Sequence, residues 1–351
     1  MSKFCQNWRA LFTCIFLSTV FQVNAAEAQL PTRITPQEHV RGLEQTFLTY
    51  PEWFLVFSPD EYAGFIAKKP PSQFPYFGHI AQFWQSYKAV FDETQTRKLD
   101  LNPGYHLMIM VIGVSTTFEY ALKSAYESLI GRFTELTSSQ QTEEDRYAAF
   151  VAKDYVDVIR VLPWYEYDFW GKLKGLWLAT PAVGDNMLRK WERRFALTTE
   201  YGIKVIYGQL IKSATKSIYE APLMVTAVQV QPEPHLDLKL PEIKLIKKLD
   251  DGSVLITVPR YDAFSAYAQG LALQGLEFRE IAGNKTVILV SLIGPQNWTP
   301  ETGISKILFE QPILTQPGLK RIAATVEVLA LGKALREWTE QRISLEHIFD
   351  Y

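Results

Sequence analysis

Cysteine is scarce in this chain. Only two of its 351 residues are cysteines, Cys5 and Cys14, and both lie in the apolar segment that opens the sequence. If that segment is a cleaved leader, the mature chain has no disulfide, no thiolate metal ligand and no cysteine nucleophile. Disulfide scaffolds and cysteine-dependent enzymes are therefore excluded on this interpretation.

An excess of positive charge is also lacking. The sequence holds 36 Lys and Arg against 38 Asp and Glu, which gives a formal net charge of −2 at pH 7. Removal of Lys3 and Arg9 with a leader would make the remainder slightly more acidic. Because nucleic-acid binding needs a basic surface that neutralises phosphates, we expect no nucleic-acid partner.

The strong catalytic and metal-binding motifs are missing. There is no glycine-rich phosphate loop, no paired-histidine zinc helix, no glycine-flanked serine elbow and no calcium loop. The five histidines are scattered, and no two of them have metal-ligand spacing within one helix. We therefore predict no metal and no cofactor.

The first 28 residues have the order of a secretory signal peptide. Lys3 and Arg9 come first, followed by the apolar run Ala10–Phe21 and the small residues Ala25 and Ala28. That run has about twelve residues, fewer than the ~20 that a membrane-spanning helix needs. Residues 1–28 are predicted to be a signal peptide, with an uncleaved amino-terminal anchor as the alternative. We expect an exported protein of the periplasm or cell envelope, and the anchor would make it membrane-associated.

Residues 29–222 are predicted to form an aromatic-rich helical domain. Capping boxes at Thr35, Ser58 and Thr142 predict three helix starts, and Asp185 opens a long fourth helix. The most apolar stretch, 107–125, is interpreted as a buried bundle helix. A transmembrane helix is the alternative, and its charged residues Glu119 and Lys123 disfavour it.

Residues 223–351 change to short β-type runs, so the chain as a whole is predicted to be α+β. From residue 254 the order is strand, helix, strand, strand, then helix and strand, which is the ferredoxin-like order of an α+β sandwich. A proline-containing insertion, 294–320, interrupts this order and is expected to be mostly loop. The fold hosts many unrelated functions and implies none of them.

Three ionisable residues are candidates for acid–base chemistry. Glu52 and His79 lie among aromatic residues, and Glu119 lies in the apolar helix. Burial of such groups shifts their pKa values towards those that proton transfer requires. The alternative is structural: Glu52 caps a helix, His79 bonds a backbone carbonyl and Glu119 forms a salt bridge.

Aromatic residues are mixed with lysines between Pro163 and Trp177, and Glu166 and Asp168 dilute the positive charge. This combination suits a ligand site or a membrane surface, where rings lie at the interface and lysines meet anionic lipid. The alternative is a Trp-rich loop that docks two helices together. Four basic residues of the following helix, at 189, 190, 193 and 194, either extend this patch or form a solvated face. The candidate ligand or membrane-surface residues are Trp164, Tyr165, Trp170, Lys172, Lys174 and Trp177.

Aromatic residues make up 13% of the chain. Large aromatic cores explain this content, and so does a membrane surface, where Trp and Tyr are favoured. Our leading hypothesis is a non-catalytic envelope protein that binds a hydrophobic ligand, a lipid or the membrane surface. The alternatives are a periplasmic enzyme using carboxylate and histidine groups, and an envelope scaffold that binds partners through an exposed strand.

Overall fold

The computed structural model describes residues 34–138, 140–215, 223–231, 242–300 and 303–350. The predicted leader, residues 1–28, and both cysteines lie outside the described residues. Within these residues, a helical region is followed by two antiparallel four-stranded sheets. The predicted α+β class is therefore confirmed.

Seven α-helices are described in the helical region, and a five-residue π-helical turn, Glu127–Gly131, joins the third to the fourth. They are α1 (Gln45–Ile66), α2 (Tyr76–Thr96), α3 (Pro103–Tyr126), α4 (Arg132–Glu135), α5 (Glu143–Ile159), α6 (Phe169–Ala179) and α7 (Met187–Thr215).

The predicted capping box at Thr142 is confirmed. The predicted capping boxes at Thr35 and Ser58 are wrong. Thr142 Oγ1 accepts a hydrogen bond from the backbone N–H of Asp145 at 3.2 Å, and Asp145 Oδ2 accepts one from the backbone N–H of Thr142 at 3.1 Å. Thr35 precedes only a short 3₁₀ turn, Gln37–His39. Ser58 lies inside α1, which contains two prolines, Pro51 and Pro59.

Packing explains why α1 continues through its prolines. A proline inside a helix costs about 3 kcal/mol, because it removes a hydrogen bond and clashes with the preceding turn. Burying one large apolar side chain contributes about 1.5–3 kcal/mol. Phe47, Tyr50, Phe54 and Phe57 of α1 are all buried, so their burial offsets the cost of both prolines.

The strands form two sheets of four, in the orders β2-β3-β1-β4 (sheet A) and β6-β7-β5-β8 (sheet B). Helix α8 (Asp262–Leu273) follows β3, and α9 (Leu331–Glu340) follows β7. The strands are β1 (Val225–Gln231), β2 (Lys244–Lys248), β3 (Val254–Pro259), β4 (Glu277–Ile281), β5 (Val287–Pro295), β6 (Ser305–Pro312), β7 (Leu319–Glu327) and β8 (Ser344–Ile348).

This topology differs from the single sheet that the ferredoxin-like order requires. β1 pairs with both β3 and β4, and β7 pairs with both β5 and β6, so the strands divide between two sheets. The insertion 294–320, expected to be mostly loop, contains β6 and the start of β7. The single ferredoxin-like sheet is therefore not observed among the described strands.

The two sheets are copies of one β-β-β-α-β unit. In unit A (225–281), Val228 pairs with Ile256 and Ile281; in unit B (287–348), Val290 pairs in the same way with Ala324 and Ile348. The register shifts also recur, because β2 and β6 are each irregular opposite their central strand. The sheet region therefore contains the same structural unit twice.

One hydrophobic core joins the two units, and a second joins unit B to the helical region. The first holds the facing side chains of both sheets, with α8 and α9 packed among them. In the second, Phe47, Tyr50 and Trp53 of α1 pack on Leu289 and Ala323 of sheet B. Helix α1 therefore lies across the outer face of sheet B.

Thr46 should be a strong determinant of this docking. Its Oγ1 donates to the carbonyl of Phe349 and accepts from the N–H of Leu289, both at 2.9 Å. Thr46→Val keeps the shape but leaves two buried backbone groups without partners, at a cost of about 2–4 kcal/mol. We expect a lower urea midpoint for this variant. Equal midpoints for Thr46→Val and the exposed control Thr96→Val would contradict the role assigned to Thr46.

Candidate functional site: a helical surface with a charged interior

The amino-terminal half of α7 buries its charged face. Arg189, Lys190, Arg193 and Arg194 are only 1–2% exposed. The predictions that they extend a basic patch or form a solvated face are therefore both wrong. Buried cations are stable only when they are paired and hydrogen-bonded, so their partners determine this part of the fold.

Carboxylates of α5 and of the turn after α3 supply those partners. Arg189 Nη2 lies 2.9 Å from Asp145 Oδ1, and Lys190 Nζ lies 3.4 Å from Glu144 Oε2. Glu144 also pairs with Arg194. Further close pairs include Arg193 Nη2–Glu127 Oε1 at 2.8 Å and Arg194 Nε–Glu144 Oε1 at 2.9 Å. Within α7 itself, Glu192 lies 2.7 Å from Arg193 and 2.9 Å from Arg189.

A second ionic group joins α3 to α7 and contains the predicted candidate Glu119. Lys123 Nζ lies 2.8 Å from Glu200 Oε1 and 3.2 Å from Glu119 Oε1. Lys204 Nζ lies 3.2 Å from Glu119 Oε1. Burial opposes ionisation of Glu119, but Lys204 and Lys123 outweigh it and lower the pKa of this carboxyl. Glu119 is therefore an ionised member of a salt-bridge group.

The apolar face of the same helices points outward. On α7, Trp191 and Phe195 are 44% and 64% exposed. On α3, Phe118 and Leu122 are 67% and 70% exposed, although the stretch 107–125 was predicted to be a buried helix. That prediction is wrong because α3 turns Lys123 and Tyr120 towards its neighbours and leaves its apolar stripe uncovered.

This apolar surface is extensive. Exposed apolar side chains recur along α3 at helical spacing, in the π-helical turn and α4, and in both halves of α7. These side chains include Leu107, Val111, Val114, Phe118, Leu122, Leu129, Phe133, Leu136, Leu188, Trp191, Phe195, Ile203, Ile206 and Leu210.

Among the described helices, none combines the length and apolarity that crossing a membrane requires.

The predicted aromatic segment divides between this surface and the interior. Trp170, Lys174 and Trp177 are exposed on α6 and line a groove of about 410 Å³ between α6 and α7. Lys174 Nζ lies 5.0 Å from the centre of the Trp170 ring, a cation–π contact. These three residues therefore join the exposed surface.

The other three residues of the segment are partly buried. Trp164 stacks on Tyr207 of α7 with 5.4 Å between ring centroids, and Tyr165 is also half-buried. Lys172 Nζ forms a salt bridge with Asp154 Oδ2 at 2.7 Å. Trp164, Tyr165 and Lys172 thus contribute to packing between helices.

Glu52 and His79 occupy separate polar environments. Glu52 accepts a hydrogen bond from the Tyr105 hydroxyl at 2.6 Å, and burial raises the pKa of its carboxyl. His79 Nδ1 is 2.9 Å from Ser58 Oγ, and its Nε2 is 3.6 Å from Glu61 Oε2. The three acid–base candidates bond to different side chains: Glu52 to Tyr105, His79 to Ser58 and Glu119 to Lys123.

The Ser58–His79–Glu61 chain has the order of a nucleophile, a base and an acid, but it serves the fold. All three residues are buried, and Ser58 Oγ also bonds the Tyr120 hydroxyl at 2.7 Å. Glu61 Oε1 in turn forms a salt bridge with Arg321 Nη2 of β7 at 3.1 Å. This chain therefore connects α1, α2 and α3 to sheet B.

Reasoning from sequence missed the carboxylates Glu127, Glu144 and Glu192. A signal was present, since α7 separates its charges at 189, 190, 193 and 194 from its apolar residues at 188, 191 and 195. That pattern indicates a helix with one charged face and one apolar face. Which face points inward is decided by acids far away in sequence.

Within the described ranges, no three His, Cys, Asp or Glu side chains form a group that could hold a metal ion. Comparison of the chain with protein-family models, curated proteins and solved structures finds no match. Its function must be inferred from the chemistry of its own residues.

The paired interior predicts a large effect at Arg194. Arg194→Met leaves the fully buried Glu144 with Lys190 as its main cation, which should cost about 3–5 kcal/mol of unfolding free energy. The matched control is Arg146→Met, whose exposed pair with Glu143 should contribute at most about 1 kcal/mol. Similar denaturant midpoints for the two variants would contradict the assignment.

Two buried histidines should make the fold sensitive to acid. Burial lowers the pKa of His347 to about 3, and burial with Arg321 lowers that of His79 to about 3. Both are neutral in the fold, so their contribution to stability is present above the unfolded pKa of about 6.5. It is lost as pH falls from there towards 3, by about 1.4 kcal/mol per pH unit for each histidine.

Denaturant titrations between pH 8 and pH 5 test this linkage. His347→Phe keeps a ring against Trp53, whose centroid lies 3.7 Å from that of His347. The variant should lose stability less steeply below pH 6.5 than the wild type. Parallel pH profiles would show that His347 is not the group responsible.

Proposed function

We propose that this protein is exported to the cell envelope and binds the membrane surface, without catalysis, through the apolar surface of α3, α6 and α7. The observation that carries the proposal is the orientation of α7, whose charged face with Arg193 and Arg194 is buried and whose apolar face with Trp191 and Phe195 is exposed. Charged side chains that face a bundle interior and apolar ones that face outward suit a lipid environment. In water, the same arrangement leaves a large apolar area hydrated, which is unfavourable.

The aromatic residues at the α6 end of this surface favour lipid as the occupant. Trp170, Trp177 and Trp191 are each about half exposed, and Lys174 stands over the Trp170 ring. Tryptophan prefers the boundary between headgroups and hydrocarbon, and lysine there meets lipid phosphates. A protein partner would require apolar surface too, but it gives no reason for this pairing of Trp and Lys.

The α3 stripe supplies the aliphatic part of the contact. Leu107, Val111, Val114, Phe118 and Leu122 recur at helical spacing along one side of the helix. An amphipathic helix of this kind binds with its axis in the plane of the interface and its apolar side in the acyl boundary. The ionic group of Lys123 and Glu119 then lies on the protein side.

The scaffold alternative has one observation in its favour. β2 is an edge strand of sheet A, and all five of its residues are exposed. An open edge can accept a strand from another chain. Three of the five residues are lysines, which commonly protect edges against such pairing. Membrane-surface binding therefore remains the function that the geometry supports best.

Flotation of the full chain with vesicles of phosphatidylcholine and phosphatidylglycerol tests the proposal. We expect the wild type to rise with the vesicles and the double variant Phe118→Glu/Phe195→Glu to stay behind. Each exposed Phe contributes about 2 kcal/mol when it leaves water, so partitioning should fall by more than about tenfold.

Matched controls lie in the sheet region. Leu245→Glu and Leu273→Glu also place a carboxylate at an exposed leucine, and they should float like the wild type. Failure of the wild type to float, or equal flotation of the Phe118→Glu/Phe195→Glu variant, would contradict the proposal. Light scattering without lipid then shows whether a second copy covers the surface instead.

A further inference from the structure

The repeated topology allows positions of unit A to be compared with their counterparts in unit B. Val225 pairs with Pro259 in unit A, and Val287 pairs with Glu327 in unit B. One residue later the backbones still agree: Arg260 N–H bonds the carbonyl of Met224, as Val328 N–H bonds that of Thr286. Arg260 and Tyr261 therefore correspond to Val328 and Leu329.

The units diverge at this point. Leu329 lies in a 3₁₀ turn, Val328–Ala330, and does not have a positive φ. Tyr261 has φ 59° and ψ −135°, a conformation that strains any residue with a side chain. Since unit B makes the same connection without strain, the shared framework does not require it. Local strain of this kind is typical of functional positions.

The strained residue lies beside a buried cation. Arg260 is 9% exposed, and its Cζ lies 4.9 Å from the centre of the Tyr261 ring. Its Nη1 donates to the carbonyl of Leu223 at 3.2 Å, and its Nε is 3.9 Å from Asp350 Oδ2. In unit B the corresponding position is the apolar Val328, so the charge is specific to unit A.

Arg260 and Tyr261 line a cleft of about 400 Å³ between the helical region and unit A. Apolar side chains, among them Val161 and Met224, form much of its wall. Two further charged residues line it, Lys244 and Glu242. Clefts of this size between structural regions, apolar with a few convergent polar groups, are where small ligands bind.

The carboxyl group behind Arg260 does not fully neutralise it. Burial raises the pKa of Asp350 to about 7, against the lowering effect of Arg260 and of Arg41. Near neutral pH a large fraction of Asp350 is therefore protonated. Glu52 is also near Arg260, and burial raises the pKa of its carboxyl against the lowering effects of Tyr105 and Arg260. Because burial disfavours the charged form of both carboxyls, the guanidinium keeps charge available for an anion in the cleft.

We propose that this cleft binds a small amphipathic anion, with a carboxylate head on Arg260 and a hydrocarbon body against Val161 and Met224. Lys244 adds a second cation at the cleft, and Glu242 disfavours ligands of higher negative charge. The proposal goes beyond membrane-surface binding, since none of these residues belongs to the apolar surface of α3, α6 and α7.

Titration calorimetry of the full chain with three probes tests this site. Decanoate carries both head and chain, decanol has only the chain, and inorganic phosphate has only the charge. We expect saturable 1:1 binding of decanoate and weaker binding of the other two. Arg260→Gln should weaken decanoate binding by about tenfold or more, as expected for loss of a charge-assisted contact.

The matched control is Arg279→Gln, on β4 and outside the cleft, which should bind decanoate like the wild type. Lys244→Gln, at an exposed position, should weaken decanoate several-fold and leave decanol unchanged; it decides the matter if Arg260→Gln does not fold. The variant Phe118→Glu/Phe195→Glu should keep decanoate binding, which separates this site from the membrane surface. The proposal is overturned if decanoate does not bind, if decanol or phosphate binds as tightly, or if Arg260→Gln binds like the wild type.

Discussion

Arg193 and Arg194 reach inward from α7 and pair with Glu127 and Glu144, and the orientation of α7 in the helical region depends on this contact. A buried ion pair is a weak source of net stability, because desolvation offsets much of the attraction. It is a strong constraint on orientation, since α7 cannot rotate without leaving buried carboxylates unpaired. The same constraint places Trp191 and Phe195 on the outer face of α7.

The sheet region uses its two copies differently. The outer face of unit B packs against α1, where Trp53 contacts His347 and Glu61 pairs with Arg321. Unit A keeps the same register but replaces Val328 and Leu329 with Arg260 and a strained Tyr261. One unit therefore holds the helical region in place, and the other differs from it at the cleft.

Sequence patterns predicted the α+β class and the Thr142 capping box, because these depend on local chemistry. They failed where distant residues decide. Ser58-Pro59 resembles a helix start, but aromatic packing carries α1 through it. The stretch 107–125 resembles a core helix, yet its charged partners Glu200 and Lys204 lie on α7 and turn its apolar side outward. The pairing of the strands could not be predicted either. The ferredoxin-like order and the repeated unit have nearly the same succession of strands and helices along the chain, so the succession alone does not say which strands pair.

The most direct test of the account is the environment of Phe195 in the presence of vesicles. The two cysteines allow a clean design: with Cys5→Ser and Cys14→Ser, a nitroxide attached to Phe195→Cys or to Leu273→Cys is the only label. On adding vesicles, we predict that the label at 195 collides less with a water-soluble nickel complex and more with oxygen, while the label at 273 does not change. Equal accessibility of the nickel complex to both labels, with vesicles present, would contradict a lipid-facing α7.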